Sequence, residues 1–101
     1  MPSKVLSLLG MARAAGKLTV GFDAVVALAK DGKAALVLLA NDLSEKSEKE
    51  LRFLTKDIPL CIRRLDADKE AIGGAIGVKK PIGILAVSDS GFADAVTRSM
   101  K

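Results

Sequence analysis

An α/β layered fold with at least some parallel strand pairing is predicted from two features of the chain. Short apolar runs alternate with helical stretches of about ten residues from one end to the other. One of those runs, Leu36-Val37-Leu38-Leu39, is apolar without alternation, so that strand should be covered on both faces. The 101 residues suffice for a single domain with a real core. Half of them are apolar and only 3% are aromatic, so Ala, Val, Leu and Ile must build that core. No linker, internal repeat or low-complexity stretch divides the chain.

Taken in order, Ser3 caps a first helix in which Val5, Leu8, Leu9 and Ala12 follow the i, i+3, i+4, i+7 spacing of one apolar stripe. Arg13 lies in its last turn and Gly16 is placed to end it. Leu18-Thr19-Val20 is a short strand. Gly21 opens the next helix, whose stripe is Phe22, Val25, Val26 and Ala29, and Gly32 closes it between Lys30 and Lys33. After the buried strand, the run Asn41-Asp42-Leu43-Ser44 offers several capping side chains, and Asp42 stands in capping-box spacing with Glu45. The following helix has possible i, i+4 pairs at Glu45/Lys49, Lys46/Glu50 and Glu48/Arg52, with Leu51 and Leu54 on its inner side. Pro59 starts a strand over Leu60-Cys61-Ile62-Arg63, which ends in the pair Arg63-Arg64 and a loop through Leu65, Asp66, Ala67 and Asp68. A helix from about Lys69 to Ile76 stops at Gly77, and the basic turn Val78-Lys79-Lys80-Pro81 leads into a last strand, Ile82 to Val87. Ser88 or Asp89 caps a final helix with Phe92 and Val96 on its inner face.

Composition removes several functions. The chain contains no histidine, which excludes Ser-His-Asp and Cys-His nucleophilic catalysis and every His-containing metal site. Cys61 is alone, so there is neither an internal disulfide nor a thiolate cage, and its expected role is that of a small buried hydrophobe in a reducing, cytoplasmic setting. The longest apolar run, Ala34–Ala40, is far short of the ~20 residues that span a membrane, and the N-terminus lacks the pattern of a secretory leader. No enzyme, metal or cofactor is expected. The formal charge of +4 favours an anionic partner, nucleic acid first.

The basic residues fall into three groups: Lys17, Arg63-Arg64, and Lys79-Lys80. Loops that follow strands share one edge of a layered fold when the strands are parallel. Arg63-Arg64 and the helix start at Gly21 are therefore expected close together, with Lys17 just before that start. Free N–H groups in the first turn and the positive end of the helix dipole suit such a start to anions. Glycines Gly73, Gly74 and Gly77 lie inside and after an apolar helix rather than between a strand and a helix, so they read as close packing and not as a phosphate loop. With Phe22, Phe53 and Phe92 the only aromatics, a base-stacking platform is not expected, whereas recognition of structured RNA by shape is.

The segments LLGMARAAGKLTVGFDAVVALAKDGKAALVLLANDLSEK, KEAIGGAIG and ILAVSDSGFA, in this order and spanning Val5 to about Val96, resemble the bacterial YlxQ-like branch of the ribosomal L7Ae/L30e family of kink-turn RNA-binding proteins. The resemblance implies a three-layer α-β-α sandwich around a mixed four-stranded sheet, and no catalysis. It implies an RNA surface made of the second helix start (Gly21, Phe22, Asp23 and Ala24, with Lys17 beside them) and the loop from Arg64 through Leu65 to Asp68. In the family, that helix enters a widened groove beside sheared G·A pairs while the loop braces flipped-out nucleotides. Archaeal and eukaryotic members read G-x-N-E-x-x-K at the helix start; here Asp23 stands at the Asn, Ala24 at the Glu and Ala27 at the Lys. Phosphate contacts are then expected from Lys17, Arg63, Arg64, Lys79 and Lys80. Structured, ribosomal RNA is the expected partner, with ribosomal proteins or translation factors as protein partners and no membrane or DNA partner. The alternative is a protein-interaction adaptor on the same scaffold.

Overall fold

The computed structural model describes residues 3–100. Its elements run α1 (Lys4–Ala14), β1 (Leu18–Val20), α2 (Phe22–Lys30), β2 (Leu36–Leu39), α3 (Glu45–Leu54), β3 (Ile62–Arg64), α4 (Lys69–Ala75), β4 (Ile84–Val87) and α5 (Ser90–Ser99). The four strands form one mixed sheet in the order β1-β4-β2-β3. β4 is antiparallel to both of its neighbours, and β2 runs parallel to β3. Hence β1, β2 and β3 all point the same way, and their C-terminal ends share one edge of the sheet with the entry to β4.

The two central strands are buried at every residue because helices cover both faces. Leu36 and Leu38 of β2 and Leu85 and Val87 of β4 face Leu9 of α1, Ile72 and Ile76 around α4, and Val96 of α5. The alternate residues Val37, Leu39, Ile84 and Ala86 face Val25 and Val26 of α2 and Leu51 of α3. Strand alternation thus feeds two separate cores, which is the three-layer α-β-α sandwich expected. Leu9, Leu38, Leu51, Ile72 and Leu85 are fully buried, and truncating any one of them to Ala costs about 2–5 kcal/mol.

Two positions require glycine, one for space and one for backbone conformation. Gly73 faces the backbone of the return segment, where a Cβ would collide with the Lys80 carbonyl, so the expected packing role of this glycine is observed. Gly21, at φ +100° and ψ 149°, occupies a region that only glycine enters freely.

Several local expectations are corrected. Cys61 is exposed, because β3 is an outermost strand with one flank uncovered and the regular strand starts only at Ile62. Ser44, not Asp42, caps α3 by accepting from the Ser47 N–H at 3.2 Å. The Asp42 carboxylate instead accepts from the Lys69 N–H at 3.0 Å, across 27 residues of chain. Of the three possible pairs on α3, Glu48–Arg52 is the one formed among the described residues, at 3.0 Å. Leu54 is 37% exposed, so of the two leucines only Leu51 is buried. Regular β4 begins at Ile84 rather than Ile82, since the N–H of Ile82 is drawn aside to the Lys69 carbonyl.

Candidate nucleic-acid interface

The start of α2 is built by β1 and the neighbouring β4. The Gly21 N–H donates to the Ile84 carbonyl at 2.9 Å, which ties the turn to the sheet, and the Gly21 carbonyl accepts from Val25 to open the helix. Each of the other four helices has a side-chain cap: Ser3 for Leu6, Ser44 for Ser47, Asp68 for Ala71 and Asp89 for Phe92. Gly21 supplies none, so the first-turn N–H groups of α2 are left without a side-chain acceptor at the positive end of the dipole. Asp23 lies in that turn, and Asp23, Ala24 and Ala27 are all exposed while Phe22 is half-buried.

The same edge carries the loops after β2 and β3, knitted by backbone bonds. Ala40 donates to Gly83, Asn41 to Ala67 and Leu65 to Leu39, at 2.9, 2.8 and 2.7 Å. The parallel direction of β1 and β3 therefore brings the α2 start and the Arg64–Asp68 loop to one edge, as expected. They stand at its opposite corners, however: β4 and β2 lie between, three strand spacings or about 14 Å.

Each residue of the expected surface has a definite setting. Arg63 is exposed at the end of β3. Arg64 has its guanidinium turned to the protein. It donates to the Ala40 carbonyl at 2.8 Å and the Asn41 carbonyl at 3.1 Å, and pairs with the Glu48 carboxylate, so one side chain straps together the loop after β2, the end of β3 and α3. The hydrogen bonds from Arg52 and then from Arg64 hold the Glu48 carboxyl below its ordinary value. Leu65 is 3% exposed and anchors its loop from within the core. Asp66 and Asp68 remain exposed beside it, Asp68 as the cap of α4. Lys79 and Lys80 are exposed on the segment that returns along α4. A pocket of about 280 Å³ sits under the loop, between Val5 and Leu6 of α1, Ala67 and Met100.

Lys17 is not beside Gly21. It precedes β1, so the strand separates the two by four extended residues, about 13 Å. Its carbonyl accepts from the Ser88 N–H and hydroxyl, at the far end of β4 and thus at the opposite edge of the sheet. Arg64 and Asp42 are the residues whose roles the sequence concealed, since their partners lie 16 to 27 positions away. The strand Leu18–Val20 was the available signal for the position of Lys17.

Comparison with known proteins agrees with this architecture. The chain is 33% identical over 90 residues to the RNA-binding protein YlxQ of Enterococcus faecium, covering 89% of this chain and 84% of that one. A Bacillus halodurans protein of unknown function superposes with a TM-score of 0.87 at 28% identity over 97% of both chains. The Giardia lamblia 15.5 kD RNA-binding protein shares the fold, with a TM-score of 0.70 at 21% identity over 95% of this chain and 81% of that one. The profile of the ribosomal protein L7Ae/L30e/S12e/Gadd45 family matches residues 3–97. The chain belongs to that family.

Proposed function

We propose that this chain is a non-catalytic, cytoplasmic RNA-binding protein of the translation machinery, holding structured, kink-turn-like RNA against the edge formed by the α2 start and the loop before α4. The observation that carries this reading is the start of α2, the one helix N-terminus among the described residues with no side-chain cap, fixed to the sheet by Gly21 and standing on the same edge as the Arg64–Asp68 loop. The relative from Enterococcus faecium is named as RNA-binding, and family membership supports carrying that property over. Ribosomal RNA is the partner that fits best, with ribosomal proteins or translation factors as its company there.

A second reading is favoured by a specific observation. The exposed positions Asp23, Ala24 and Ala27 offer one negative charge and two methyl groups where phosphate and base edges would lie, and Asp66 and Asp68 add carboxylates at the other corner. An ionised aspartate donates no hydrogen bond and repels phosphate. On this reading the chain is a protein adaptor that keeps the scaffold without tight kink-turn binding.

Titration of a kink-turn RNA beside a mutant lacking its G·A pairs, across a salt series, separates the two. Preference for the intact motif, strengthened by the triple substitution Asp23→Asn, Ala24→Glu and Ala27→Lys, is the expected result. Equal affinity for both RNAs before and after the triple substitution would overturn kink-turn recognition and leave the adaptor.

A further inference from the structure

The edge opposite the α2 start gathers the N-terminal ends of β1 and β2, the C-terminal ends of α1 and α2, and the start of α5. Between them lies an open hollow of about 630 Å³ with a largely polar wall that includes Gly16, Thr19, Lys33, Ser88 and Ser90. Lys33 lines this hollow, Lys17 follows its wall residue Gly16, and Lys30 ends α2 three residues before Lys33, so the three lysines come from two segments of the chain. All three are exposed, and none takes part in an ion pair among the described residues. Arg13 is already committed to the Ile76 carbonyl at 3.1 Å. The acidic groups nearby are Asp31 at the end of α2 and Asp89, whose carboxylate is taken up by the Phe92 N–H at 2.9 Å.

We infer that this lysine edge is a second RNA-contact surface, one that holds the phosphate backbone of a duplex segment without reading its sequence. Lys17 directly precedes β1 and Lys33 lies three residues before β2; the first residues of those strands, Leu18 and Leu36, both pair with Val87 of β4 and so stand about 10 Å apart. Three flexible lysines offered over such a span suit several phosphates along a backbone. Lysine serves such contacts as a flexible point charge with no demand on base identity. The wall holds no aromatic side chain, so stacked single strands have no platform there. This inference rests on the RNA-binding reading above and extends it to the other edge of the sheet. An RNA held at the α2 start would then be gripped on two sides of the protein.

The test uses the whole chain and a plain RNA duplex of about 16 bp without a kink-turn. The logarithm of its affinity is followed against the logarithm of salt, for the natural protein and for Lys17→Gln, Lys30→Gln, Lys33→Gln combined. The triple variant is expected to fold as the natural protein does and to lose about 2 units of salt slope. Backbone amide shifts on adding duplex are expected at Gly16, Lys17, Gly32, Lys33 and Ser88. An unchanged slope, or shifts confined to Gly21–Ala24, would overturn the second surface. Equal binding of polyglutamate and duplex at this edge would also overturn it, in favour of an acidic protein surface. The ratio of affinities for intact and G·A-deficient kink-turn RNA, read on the same variant, keeps the outcome separate: loss of that preference alone counts against the α2 edge and leaves the lysine edge standing.

Discussion

At the edge where β1, β2 and β3 end, several charged side chains are consumed in holding loops, with Arg63, Asp23 and Asp66 left exposed: Arg64 straps Ala40, Asn41 and Glu48, Asp42 fastens Lys69, and Asp68 caps α4. At the opposite edge Lys17, Lys30 and Lys33 project without ion-pair partners among the described residues. The first arrangement fixes a shape and spends the charge of Arg64, Asp42 and Asp68 on itself; the second leaves charge available and prescribes little shape. Shape and available charge thus sit on different edges of the one sheet. The comparison also warns against counting basic residues from a sequence, because Arg64 and Lys17 look equivalent there, yet the Arg64 guanidinium is committed within the protein while Lys17 is exposed with no ion pair among the described residues.

The strongest way to break the comparison is Gly21→Val. No atom lies within 4 Å of the added Cβ, so the cost is backbone strain alone, about 1–3 kcal/mol. Thermal unfolding is expected to show it as a clear fall in Tm, with kink-turn preference lost and the duplex salt slope kept. Next comes Arg64→Met, which removes the strap and is expected to cost about 1 kcal/mol. Hydrogen exchange should quicken at Asn41, Leu65 and Lys69, while the salt slope for duplex moves by less than one unit. A full unit of slope would mean that this guanidinium was free for phosphate after all.

Acid sharpens the same point more gently. The Glu48 carboxyl is held below its ordinary value of 4.5, first by Arg52 and then by Arg64. A carboxyl depressed by folding contributes stability that is present above the ordinary value and lost as pH falls through the lower folded value. Glu48→Gln is therefore expected to be the less stable protein at neutral pH, with the gap closing in acid. A gap that persists at pH 2 would show that packing, not charge, is what Glu48 supplies. The smallest effect is chemical. Cys61 stands just ahead of β3, towards the lysine edge, and is exposed, so one equivalent of an aromatic disulfide reagent should react with the native protein without unfolding it. Reaction only in denaturant would return Cys61 to the core.

Much of the scaffold was legible because it is written in local patterns. The stripe Val25, Val26 and Ala29 and the unbroken run Leu36–Leu39 name their own environments, and all of them are buried. Capping residues Ser3 and Asp89 act within three positions of themselves. What could not be read depends on which strand neighbours which. Cys61 looks like a core residue until β3 is known to be outermost, and Asp42 looks like the cap of α3 until Lys69 is known to lie beside it. The candidate surface was half legible. Its two corners follow from strand direction, but the inward turn of Arg64 and the burial of Leu65 depend on contacts that no short spacing encodes.

The position of β4 also governs how the molecule comes into being. The last strand among the described residues lies between β1 and β2, and it is the only partner of β1 there. A nascent chain that has emerged only as far as Pro81 holds β2 and β3 as an adjacent pair and β1 with no strand to join. The sheet is closed by insertion into its middle rather than by growth at its rim, so its decisive contacts are remote in sequence and form slowly relative to helix formation. Both edges are born in that one step: until Ile84–Val87 arrive, Gly21 has no carbonyl to hold it and Lys17 has no Ser88 beside it.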